Sequence, residues 1–351
     1  MPVIEALLGL GLIAWVLNDV FNTVVLPRPS PSRSRPAGLL TRWGWRVWRP
    51  FADRSRTAAK REGRLGLFAP AIVLLLLGVW IVLLIAGFGL TMYALAGAIR
   101  PPLPDLGTAF YFAAISLLTI GYGDFVPVEL AARVIAVAAG AVGLGIVALT
   151  ITYLFSLYGN FQRRELLIVT LDARAGAPPS GVVLLETCAR YHDTDELRRL
   201  FTDWERWSAQ VLESHLAYPI LLFFRSTHDH ESWVSAIGAV LDASTLVLTT
   251  IESETTGAAW VMHDIGVHLV EDVARFFRYS TPGTVGVERA EFDDARSRLA
   301  AAGYTLLPDA DASWAAFVRR RSSYADGLNM LARFLAVPPA QWIGDRSEVR
   351  H

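Results

Sequence analysis

The chain has 351 residues, 53% of them hydrophobic, and its 32 Lys/Arg against 33 Asp/Glu leave a formal charge of −1. That apolar content is high for a soluble protein, and the length permits two or three domains. The single cysteine, Cys188, excludes an intrachain disulfide framework and any zinc-ligand cysteine spacing, and it fits a chain whose bulk faces a reducing interior.

The near-zero charge hides a marked asymmetry, visible when the chain is taken in order. Residues 3–26 form a first apolar run, interrupted by Glu5, Asn18, Asp19 and Asn22. A signal peptide would carry basic residues before its apolar core and a small-residue cleavage site after it. Here the front holds Glu5 and the back reads DVFNTVVLP, so an uncleaved transmembrane helix is expected over residues 1–26.

Residues 27–64 hold eleven Lys/Arg against only Asp53 and Glu62, which assigns this linker to the cytoplasm by the positive-inside rule. Within it, LLTRWGWRVWRPF sets Leu40, Trp43, Val47 and Phe51 on one helical face and Arg42, Arg46 and Arg49 on another. This pattern predicts a helix lying in the interface, aromatics at headgroup depth and arginines toward anionic lipid. A voltage sensor also repeats arginines, but it needs a membrane-length apolar run between them.

Two further runs are long enough to span a bilayer, which takes about 20 residues at about 1.5 Å each. No charge falls between Arg64 and Arg100, or between Arg133 and Arg163. With the linker inside, the N-terminus is outside, the second span runs outward, and the third returns at Gln162–Arg163–Arg164. The loop from Arg100 to Glu129 then lies on the outer side.

In that loop, Pro101, Pro102 and Pro104 end the preceding helix. Asp105 is placed to cap a short helix over residues 106–118, with Phe110, Tyr111, Phe112, Ile115 and Leu118 giving it an apolar surface. Thr119-Ile120-Gly121-Tyr122-Gly123-Asp124 follows, and Pro127 is expected to open the last span. Non-helical backbone at membrane depth is tolerated only where protein buries it or where it lines an ion path.

The TIGYGD hexapeptide resembles the selectivity filter of potassium channels, and the likeness covers roughly residues 65–159. The resemblance implies an all-α membrane protein with the potassium-channel pore fold: outer helix, pore helix, filter and inner helix. It also implies a homotetramer, since one chain supplies one filter strand and a ring needs four. Carbonyls of Thr119, Ile120, Gly121 and Tyr122, with the Thr119 hydroxyl, would replace the hydration shell of K⁺. Gly121 and Gly123 would take positive φ, and Asp124 would concentrate cations at the outer mouth. Leu118 stands where many relatives carry Thr or Ser. Ile115 stands where some carry a carboxylate that braces the filter aspartate, and Tyr111 and Phe112 stand where tryptophans are common.

Gly143 falls where the family's inner helix has its glycine hinge, close helix packing being the alternative reading. Leu144, Val147, Ile151 and Phe155 recur at helical spacing on one face; by register with the family they would line the cavity and the inner gate, plain helix–helix core being the alternative reading.

From Arg163 onward charges return with mostly helical periodicity, so residues 161–181 are read as a linker and 182–351 as an all-α cytoplasmic domain, regulatory by position. Helical patterns cover residues 196–216, 263–279, 291–302 and 312–336, and the apolar patches 216–224 and 233–251 read as buried helices. STHDHESW places His228 and His230 beside Asp229 and Glu231, a candidate metal or pH-sensing group; His268 shares a helix face with Glu271 or Asp272. No nucleophile or phosphate loop points to an enzyme. The permeant ion apart, no cofactor is expected, nor a nucleic-acid partner, and no regulatory ligand is assigned. The sum is a multi-pass channel of the plasma membrane passing K⁺. A weakly selective cation channel, or a signalling protein anchored by a degenerate pore, are the alternatives.

Overall fold

The computed structural model describes residues 2–26, 35–190, 194–226, 231–276 and 286–344. The chain divides into two compact units, Met1–Tyr158 and Gly159–His351.

The first unit opens with α1 (Pro2–Val20), which continues as one stretch of π-helix over Phe21–Val25. Then come α2 (Pro36–Asp53), α3 (Ala58–Gly66) and α4 (Phe68–Ala94). After α4 the two-residue strand β1 (Ile99–Arg100) leads to α5 (Leu106–Leu117), and β2 (Val126–Pro127) leads to α6 (Leu130–Ala175). Among the described residues, three stretches are long and apolar enough to cross a membrane: Pro2–Val25, Ala58–Ala94 and Leu130–Ala175.

α1 and α4 run antiparallel in close contact. A Cβ on Gly9 would stand 2.9 Å from the Thr91 nitrogen, while ten residues further along α1 the Asp19 carboxyl meets Trp80. Ile13, Val16 and Val20 of α1 bury against a core that includes Leu76, Trp80, Leu84, Phe88 and Met92 of α4, with Ala109, Phe112 and Ala113 of α5 added on.

α2 forms as an amphipathic helix within the basic linker, and one face of it packs on its neighbours. Asp19 accepts from the backbone nitrogen of Ala37 as well as from Trp80, Gly44 sits on Ile72, Trp45 packs on Phe68 at 4.9 Å, and Trp48 donates to the Arg64 carbonyl. Successive contacts thus step down α4 toward its N-terminus. The cause is that Trp45 and Ala52, not Trp43, Val47 and Phe51, form the face that packs.

Pro127 does not open the last helix. It pairs with Ile99 in the β1–β2 ladder, Val128 donates to the Ala98 carbonyl at 2.9 Å, and α6 starts only at Leu130. A proline in a two-residue edge strand loses no ladder donor that matters.

Residues 161–175 of the expected linker 161–181 are helix, continuous with α6. α6 has 46 residues, about 70 Å at about 1.5 Å each, against about 30 Å of bilayer hydrocarbon. Nothing in the sequence stops it before Gly176, which takes φ +79° and is followed by Pro178 and Pro179.

The second unit holds the end of α6, then α7 (Gly181–Arg190), α8 (Thr194–Ala217) and a 3₁₀ turn over Pro219–Phe223. α9 (Trp233–Thr249), α10 (Thr256–Phe276), α11 (Arg289–Ala301), α12 (Ala310–Arg321) and α13 (Ala325–Phe334) complete it. The apolar patch 233–251 is its central helix: α9 is buried on every side, against α7, α8, α10, α12 and α13. Its one charge, Asp242, accepts from Arg321 Nε at 2.9 Å and from the Tyr324 hydroxyl at 2.8 Å. The stretch 312–336, read as one helix, is two, because Tyr324 turns inward between α12 and α13 to reach Asp242.

Candidate functional site

The site is built where α5 ends. Asp105 caps α5, its Oδ1 accepting from the Thr108 nitrogen at 2.8 Å, as the sequence led one to expect. At the other end the last turn of α5 leaves carbonyls that the following strand takes up: Leu118 N donates to Ala114 O at 2.9 Å, Thr119 N to Ser116 O at 3.2 Å, and Ile120 N to Ile115 O at 2.8 Å. The hexapeptide thus leaves the helix end at a fixed angle.

Along it the backbone alternates. Thr119, Gly121 and Gly123 have φ of +54°, +60° and +80°, while Ile120 and Tyr122 between them stay negative. Alternating the sign of φ turns successive peptide planes the same way, so consecutive carbonyls align instead of pointing to opposite sides. Glycine adopts positive φ freely; threonine does so at a cost of about 1–3 kcal/mol, a strain that clusters at functional sites. The expectation reserved positive φ for the glycines and missed Thr119. Every residue from Leu118 to Asp124 is exposed in the single chain, including the side chains of Ile120 and Tyr122.

Asp124 accepts a hydrogen bond from the Tyr111 hydroxyl at 2.9 Å. The brace looked for at Ile115 is therefore supplied one turn earlier on α5, by an aromatic whose ring lies edge-on to Phe125 at 6.4 Å. A hydroxyl on the aromatic pair Tyr111–Phe112 was the only sequence signal for it. Ile115 itself is buried apolar packing.

On α6, Leu144, Val147, Ile151 and Phe155 share one face and are exposed, Phe155 by 76%. Gly143 is not on that face. A Cβ there would fall on the Leu117 carbonyl, 2.7 Å from its carbon, so this glycine lets α6 pass over the end of α5. Close packing, the alternative reading of Gly143, is thus present, and α6 is helical through the position.

His228 and His230 lie outside the described residues. Of the other grouped histidines, His268 Nε2 is 3.1 Å from Asp272, but Arg275 also claims Asp272 and Glu271. His263 is buried apart from them. Among the described residues no three His, Cys, Asp or Glu side chains gather to hold a metal.

Residues 71–160 match the family model described as Ion channel. They form the pore region of an all-α ion-channel fold. Over 78 residues, 22% of this chain, the sequence is 31% identical to the delayed-rectifier potassium channel regulatory subunit KCNS2 of Mus musculus, and equally to those of Rattus norvegicus and Homo sapiens. That alignment spans 16% of each relative's length. No solved structure matches the chain.

Proposed function

We propose that the chain is one subunit of a potassium-selective channel, four identical copies placing four Thr119–Asp124 strands around one axis. The alternating backbone of that strand carries the reading, because it aligns carbonyls in a row that has no use in a single chain. One row offers a dehydrated ion oxygens on one side only, and four rows surround it. The ion-channel match and the word potassium in the relatives' name support the choice of ion.

In this reading Ile120 and Tyr122, uncovered in the single chain, pack the filter from behind in the assembly. Asp124, steadied by Tyr111, holds cations at the outer mouth. Leu144, Val147, Ile151 and Phe155 line a cavity that narrows toward Phe155, where an apolar ring closes the path by shedding water. The basic residues 35–64 orient the chain in the plasma membrane with the second unit in the cytoplasm. There the second unit acts on α6 as a regulator.

The test is ion flux from liposomes reconstituted with purified protein. Wild type passes K⁺ and excludes Na⁺, and Gly121→Asp, which adds a side chain at φ +60°, abolishes flux while assembly persists. Equal K⁺ and Na⁺ permeation would make it a weakly selective cation channel. No flux from an intact assembly would make the pore an anchor for signalling.

A further inference from the structure

α2 has two faces that do different things. Trp45, Trp48 and Gly44 pack against Phe68, the Arg64 carbonyl and Ile72, and Ala37 and Leu40 lie against the core of the first unit. The opposite face presents Trp43, Val47 and Phe51, exposed by 60%, 72% and 52%. Arg46 lies over the Trp43 ring at 5.1 Å.

The charge around this face is unbalanced. Nine Lys/Arg between residues 35 and 64 share two carboxylates. Arg49 and Arg61 take Asp53, and Arg61 also reaches Glu62. Arg46, Arg54, Arg56 and Lys60 are exposed, and among the described residues none has a carboxylate within 4.0 Å.

Water penalises the aromatic stripe and a purely apolar partner penalises the cations. A layer of lipid phosphates over acyl chains accepts both. The packed side of α2 lies against α4, and its first turn bonds Asp19 of α1, so the helix sits directly beside two of the helices long enough to span a membrane.

We propose that the outward face of α2 binds anionic phospholipid headgroups, and that Asp19 ties this binding to the outer helix. Asp19 is fully buried, and its Oδ2 accepts from Trp80 of α4 at 2.9 Å and from the first turn of α2 at 3.1 Å. Its Oδ1 has no partner among the described residues, so the node holds by Oδ2 alone. Asp19 joins α1, α2 and α4 at one point, so a lipid pull on α2 reaches α1 and α4 together there, beside the direct Trp45–Phe68 and Gly44–Ile72 contacts with α4. Only this coupling rests on the channel reading; the lipid site does not.

The full chain in vesicles of phosphatidylcholine with rising phosphatidylglycerol tests both halves. For the site, Trp43 quenching by brominated lipid is taken as the difference between wild type and Trp43→Phe. Brominated phosphatidylglycerol quenches more than brominated phosphatidylcholine, and Arg46→Gln with Arg54→Gln weakens that preference about thirtyfold, about fivefold per cation. Equal quenching by the two lipids, or an unchanged preference in the double variant, overturns the site and points to a protein partner. For the coupling, wild-type K⁺ flux rises with phosphatidylglycerol, whereas Trp80→Phe keeps the quenching preference and loses that rise. Flux in Trp80→Phe that still follows phosphatidylglycerol overturns the coupling. A wild type with no flux in any lipid overturns the channel reading and leaves quenching to decide the site.

Discussion

At Gly143 a hydrogen in place of a methyl lets α6 pass directly over the Leu117 carbonyl at the end of α5. Gly145, two residues on, has nothing within 4 Å of where a Cβ would stand. The two glycines look alike in sequence and should behave oppositely. Gly143→Ala forces α6 away from the helix that carries the hexapeptide and is expected to cost about 1–3 kcal/mol, as overpacking does. Gly145→Ala should be neutral or gain up to about 1 kcal/mol of helix propensity. Thermal unfolding of both variants in detergent checks the contrast. Equal losses would mean that glycine flexibility, not contact with Leu117, matters at both. The same scale explains Thr119: its positive φ is not written in its residue type, since threonine resists that backbone, and only the α5 end it is bonded to imposes it.

Among the elements, α6 and α10 carry the least expected chemistry. Just past the apolar part of α6, Arg164 is buried in the second unit. It donates to the carbonyls of Leu221 and Phe224 at 2.9 and 2.7 Å, pairs with Glu165, and meets His215 Nε2 at 3.2 Å. In sequence, Arg163–Arg164 read only as a charge marking the membrane boundary. Burial, then the neighbouring Arg164, hold the His215 imidazole well below the usual histidine range, although the Val211 carbonyl works the other way. On α10, His263 is 4% exposed, its ring edge-on to Tyr324 at 5.8 Å. Asp264 stands 3.5 Å from its Nδ1, and among the described residues neither nitrogen has a hydrogen-bond partner. Its pKa is lowered too, by burial first and by Arg320 of α12 among the smaller causes, against the raising effect of Asp264.

Both histidines hold protons less readily folded than unfolded. Unfolding therefore takes up protons once the pH falls below the unfolded value near 6.5, and stability is lost from there down to the lower folded values. The second unit should melt lower at pH 5.5 than at pH 7.5. His263→Phe, which keeps a ring against Tyr324, should shrink that difference. An identical pH difference in the variant would remove His263 from the account.

For the whole molecule, the exposed face of α6 is the largest unresolved demand. Leu144, Val147, Ile151 and Phe155 are apolar and uncovered in one chain, and in the proposed tetramer they face one another. The chain offers a clean assay, because its one cysteine is silent: Cys188 is buried and its thiol is pushed up to about 11, chiefly by that burial. Phe155→Cys should form disulfide-linked dimers under mild oxidation, while the native chain stays monomeric on a non-reducing gel. Failure to cross-link in an assembly shown to be tetrameric would move the narrowing away from Phe155.

Much of this molecule is local enough to read from its sequence. The uncharged runs set α4 and the first part of α6, Asp105 set the start of α5, and TIGYGD marked the candidate site, because each depends on residues close together in the chain. What tertiary structure alone decided involves partners far apart: Asp19 with Trp80, Gly143 with Leu117, Arg164 with Phe224, Asp242 with Arg321. Tyr111 and Asp124, thirteen residues apart, meet only because the chain turns back beside α5. Periodicity predicts which face of a helix is apolar but not what will cover it. So α2 was legible as amphipathic, while the choice of Trp45 over Trp43 as its packed face waited on the shape of α4.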